Sequence, residues 1–74
     1  MILTYGIHKN IIIAFDKKIK IAKIFINDMN DNLIEELTLT DVDFKNIYID
    51  KDIDKVKLRI EVDDLIVQKE ILLN

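Results

Sequence analysis

The chain of 74 residues has no cysteine, proline, serine or tryptophan, and only one glycine and one histidine. Each absence closes a route. Without cysteine there is no disulfide to staple a small fold and no thiolate to hold a metal. A single histidine, His8, cannot form a histidine-rich metal cluster. Without serine or cysteine, a Ser or Cys nucleophile with a histidine base cannot be built; the remaining hydroxyls are Thr4, Thr38, Thr40, Tyr5 and Tyr48. No Ser/Gly linker or low-complexity tract interrupts the chain, and its length allows one domain, residues 1–74. That is little room for a walled catalytic cleft, so enzymatic activity is not expected.

Long apolar runs are missing too. The longest, Ile11–Phe15, falls far short of the ~18 or more residues that a membrane-spanning helix requires. The opening MILTYGIHKN is broken by Tyr5, Gly6, His8, Lys9 and Asn10, so it does not read as a secretory leader. A cytoplasmic protein without membrane attachment is the expectation. The formal charge of −3 is too small to create a strong field toward nucleic acid or membrane.

What the chain does have is isoleucine, sixteen of them, so dense aliphatic packing or self-association must replace the missing staples. It also has period-2 alternation. In VKLRIEV, Val56, Leu58, Ile60 and Val62 share one face, while Lys57, Arg59 and Glu61 share the other. That is the pattern of a half-buried antiparallel strand; a helix would scatter the four apolar residues around its circumference. Further strands are expected at Ile2–Tyr5, ended by Gly6, and at Asn10–Phe15, buried on both faces. Ile19–Asn27 follows, then Leu33–Thr40, Phe44–Ile49 with Ile47 and Ile49 inward, and a final strand from Leu65. In that last strand Leu65, Val67, Ile71 and Leu73 share a face. Asn32 and Glu35 imitate a helix capping box, but Leu37, Leu39 and the flanking threonines favour a strand there.

Between these segments, Asp16–Lys18, Asp28–Asn32, Asp41–Asp43 and Asp63–Asp64 read as turns, because Asp and Asn bond their own backbone and tolerate left-handed conformations. The alternation slips inside Ile19–Asn27: Ile19 and Ile21 lie on one face, Ile24 and Ile26 on the other. A β-bulge near Ala22 and Lys23 is predicted to return both pairs to the core. The resulting expectation is an all-β fold, a small antiparallel β-sandwich (immunoglobulin-like in architecture only) or barrel of six to seven short strands.

DKDIDKVKLRIE, residues 50–61, has the carboxylate spacing of an EF-hand calcium loop, with Asp50, Asp52, Asp54 and Glu61 in place. Lys55 stands where that loop needs a glycine for its sharp bend. If residues 56–62 are extended, Glu61 lies ~20 Å beyond Asp54, too far to share an ion. The stretch therefore reads as a turn entering a strand, and no metal or cofactor is expected. Lys17, Lys18, Lys20 and Lys23 form a basic patch, but Ile19, Ile21 and Ala22 stand between them in place of stacking aromatics. Nucleic-acid binding is therefore the weakest of the functional expectations.

Surface recognition remains. Ile34, Ile66 and Leu72 fall on nominally outer faces, and the final strand has no proline to guard its edge. Tyr5, Tyr48, Phe15 and Phe44 could anchor a partner, with core packing the expected fate of both phenylalanines. The sequence points to a non-enzymatic protein–protein interaction or assembly module, self-associating, for example one protomer of a viral or bacterial particle. The alternative is a small acidic inhibitor or adaptor whose loop tips, Asp50 and Asp52 among them, bind a basic surface by imitating phosphate charge. The expected partner-binding residues are Ile34, Tyr48, Asp50, Asp52, Ile66 and Leu72, and the expected partner is a protein, a second copy first of all.

Overall fold

The computed structural model describes all 74 residues, and it contains no helix. Five antiparallel strands form one sheet: β1 (Ile2–Ile7), β2 (Asn10–Asn27), β3 (Leu33–Tyr48), β4 (Lys55–Val62) and β5 (Leu65–Leu72). β2 is the spine. One edge pairs along its length with β3, while the other pairs first with β1, over Asn10–Phe15, and then with β4, over Lys23–Asn27. β5 pairs with the far side of β4. The sheet curls strongly into a half-barrel.

The curl follows from length. Eighteen extended residues would reach roughly 60 Å at ~3.3 Å each, yet the molecule measures 32 × 21 × 17 Å. β2 and β3 must therefore bend together. They do so where Asp16–Lys18 and Asp41–Asp43 face each other. Ala14 pairs with Phe44 but Ile19 with Val42, so four residues of β2 stand opposite Asp43 alone. Asp41 is left-handed, with φ of 51°, a conformation that aspartate tolerates better than most residues. The two expected turns are thus the two sides of one corner. Seven expected strand segments become five strands because strands can turn a corner through bulges without ending.

The phase slip has a different cause from the one expected. The core positions of β2 are Ile11, Ile13, Phe15 and Ile19, then Ala22, Ile24 and Ile26. The switch falls at Lys20–Ile21, leaving Ile21 exposed. No bulge sits near Ala22 and Lys23, because the ladder to β3 keeps one register from Ile19 to Ile26. Both strands rotate together as they leave the corner. A one-residue bulge occurs instead at Ile34, which pushes Leu33 outward and turns Ile34 toward the core.

Val56, Leu58, Ile60 and Val62 are all buried, as their alternation required. Fifteen buried apolar residues form a single cluster that includes Ile47 and Ile49. Leu33–Leu39 is strand, as preferred over helix. Asn10–Phe15 is fully buried on one face only, since Ile12 and Ala14 are half-exposed. Leu65 is exposed, while Val67, Ile71 and Leu73 face the core.

Gly6 does not end β1 but seats it against β5. A Cβ there would lie 1.9 Å from the Leu72 carbonyl oxygen, so only glycine permits the approach. Lys9 tightens the same seam. Its N–H donates to the Leu73 carbonyl at 2.6 Å, its own carbonyl accepts from Ile49 N–H at 2.8 Å, and its ammonium reaches the Ile53 carbonyl. His8 and Lys9 both have positive φ, the geometry of a two-residue type I′ hairpin.

Candidate functional site

Opposed residues in an antiparallel ladder share a face, so the registers on either side of β2 define the outer surface row by row. In the half before the corner the rows are Leu3–Ala14–Phe44, Tyr5–Ile12–Asn46 and Ile7–Asn10–Tyr48. None of these nine positions is charged, and seven are apolar or aromatic. Phe44 is 56% exposed and Tyr48 59%. The inner rows between them, Thr4–Ile13–Lys45 and Gly6–Ile11–Ile47, carry the core. Thr4 is buried there, and its hydroxyl has no partner. Leu72 points outward from β5 where that strand abuts Gly6, which extends the patch.

Six of these large side chains are about half exposed: Leu3, Tyr5, Ile7, Phe44, Tyr48 and Leu72. At ~200 Å² for each side chain, they present on the order of 600 Å². That is the upper end of what a monomer exposes in one patch, ~300–600 Å², and approaches the ~800 Å² per partner of a standard interface.

Beyond the corner the outer surface is mixed, with charged pairs standing among the exposed Ile21, Leu33 and Ile66. Lys23 opposes Glu61, Phe25 opposes Arg59 and Asn27 opposes Lys57. The Arg59 guanidinium lies 5.6 Å from the Phe25 ring centre and also meets Glu61. Lys57 pairs with Asp31 at 2.8 Å, and Lys55 with Glu70 at 2.9 Å. The Asp31 carboxylate holds the Lys57 ammonium above its ordinary value of 10.5. An open groove of about 660 Å³ runs here between Phe25, Leu33, Lys57, Arg59 and Glu70. Of its three cations, Lys57 and Arg59 already have carboxylate partners within the chain, and Lys69 reaches the Thr4 carbonyl at 3.5 Å.

The expected contact residues divide between these surroundings. Tyr48 lies in the uncharged grid and Leu72 at its margin. Ile66 lies opposite Glu61 on the charged half, and Ile34 packs against the core. Asp50 and Asp52 are exposed in the connection from β3 to β4. Glu61 lies within the extended β4, well away from Asp50–Asp54, as the strand reading required.

Two phenylalanines part company: Phe15 is buried as expected, whereas Phe44 is at the surface. Phe44 has the opposite parity to Ile47 and Ile49, and that signal was present in the sequence. Leu3, Ile7, Ile12 and Ala14 were missed because both parities of β1 and early β2 are apolar, so alternation marks no outer face there.

Asp28 organises the loop joining β2 to β3. Its carboxylate accepts from the N–H groups of Asn32 and Asn30, both at 2.9 Å. The Asn32 amide is the main reason that its carboxyl titrates below the ordinary 3.8. No three His, Cys, Asp or Glu side chains converge as metal ligands. No protein-family model, curated protein or solved structure matches this chain, so its function must be read from its own surface.

Proposed function

We propose that this protein is a non-enzymatic module that works through protein–protein contact and self-associates, as an assembly protomer does. The observation that carries the reading is the uncharged grid on β1, the first half of β2 and the end of β3. A third of the chain's residues are charged, so nine neighbouring outer positions without one mark a surface suited to losing its water. Tyrosine and phenylalanine supply large contact area with few rotatable bonds, as interface anchors do. The side-chain inventory, without serine or cysteine and with one histidine exposed in a hairpin turn, supports a binding role over catalysis.

Sedimentation equilibrium across a salt series tests this. The expected mass exceeds 8.7 kDa at high concentration, with little response to salt because apolar burial is not screened. Phe44→Lys combined with Tyr48→Lys should return the mass to one chain without unfolding it, since both side chains are exposed. A single-chain mass at every concentration would refute self-association.

A further inference from the structure

We infer that two copies join edge to edge through Phe44–Tyr48 of β3, in antiparallel register centred on Asn46, continuing the sheet across a twofold axis. This rests on the protein–protein reading above and specifies the partner and the contact. The outer edge of β3 is unpaired, since that strand's only neighbour in the sheet is β2. The direction of its backbone groups can be worked out. Ile49 N–H donates to the Lys9 carbonyl, on the β2 side. Because successive residues of a strand direct their N–H and C=O groups to opposite sides, Lys45 and Ile47 also turn toward β2. Phe44, Asn46 and Tyr48 therefore offer both groups to the free edge. Their side chains all stand on the uncharged outer face.

Antiparallel pairing centred on Asn46 sets it opposite its own copy and sets Phe44 opposite the second copy's Tyr48, twice. Three narrow pairs give six backbone hydrogen bonds, and each aromatic gains an aromatic neighbour across the seam. Charge selects the same stretch. Leu33–Asp43 carries Glu35, Glu36, Asp41 and Asp43 and no cation, so two copies paired along it would set carboxylate near carboxylate. Phe44–Tyr48 carries one charge, Lys45, which the proposed register sets opposite Ile47 of the second copy. The acidic stretch guards the edge and Phe44–Tyr48, without a carboxylate, leaves it open. The two outer grids would then lie side by side as one continuous surface.

The cysteine-free chain allows a direct test by single substitution and mild oxidation. Asn46→Cys should cross-link to its own copy, because hydrogen-bonded opposite residues have Cα atoms ~5.5 Å apart, within disulfide reach. Phe44→Cys or Tyr48→Cys alone should not, while the two mixed together should. Asn46→Pro removes an amide that points only to the free edge, so it should leave the monomer folded by circular dichroism and abolish association. If Asn46→Cys stays uncross-linked while the native chain sediments as a dimer, the edge register is wrong and the contact reading survives. If the native chain is a monomer throughout, both fall. Association undiminished in a folded Asn46→Pro protein would also overturn the edge contact.

Discussion

The two halves of the half-barrel on either side of the corner share one core and differ in the surface they turn outward. Before the corner, β1, Asn10–Phe15 and Phe44–Tyr48 present three uncharged rows; after it, Ile19–Asn27, β4 and β5 present lysine, arginine and glutamate in pairs. Inside, the halves are alike: Ile11 and Ile13 in one and Ile24 and Ile26 in the other are wholly buried. The core is therefore a property of the whole sheet, whereas the outer face is set locally. Core packing and surface character are set separately in this molecule.

The largest test addresses the shared interior. Ile13→Ala and Ile24→Ala should each cost about 3–4 kcal/mol, because each removes buried aliphatic volume from the same cluster. Chemical denaturation should show similar losses and one cooperative transition for both. A loss under ~1 kcal/mol at one site would mean that the halves do not share a core. Next in size, Gly6→Ala should destabilise by about 2 kcal/mol or more, since the new methyl meets the Leu72 carbonyl. Hydrogen exchange should localise the damage to the β1–β5 seam and spare the β2–β4 ladder; uniform loosening would show that the seam holds the whole sheet.

The smallest effect concerns the polar end of the charged half. Asp28 has a folded-state pKa below its unfolded value, so the unfolded chain takes up the proton first as pH falls. Its contribution is present above the ordinary 3.8 and is lost as pH drops through the folded value. Asp28→Ala should therefore lower the melting temperature slightly at neutral pH and converge with the native protein in acid. A difference that persists unchanged at low pH would mean that the loop bonds do not depend on the carboxylate charge.

Much of this was legible in the chain. Val56 to Val62 alternates cleanly because one face meets the core and the other meets water, and strand, register face and hairpin turn followed. The corner was legible only as two turns. Asp16–Lys18 and Asp41–Asp43 have turn composition, and nothing local reveals that they face each other within two continuous strands. The outer grid was the least legible, because ILTYGI and NIIIAF are apolar on both parities and alternation cannot tell the core face from the outer one.

The sequence by itself determined which segments are extended, the absence of staples and the inward face of β4, since these follow from side-chain period and residue chemistry within a few positions. Tertiary structure decided which of two apolar faces was buried, where the long ribbon bent, and which backbone edge stayed unpaired. Those outcomes depend on how segments distant in sequence close around one core, because a side chain is excluded from water only by what folds over it.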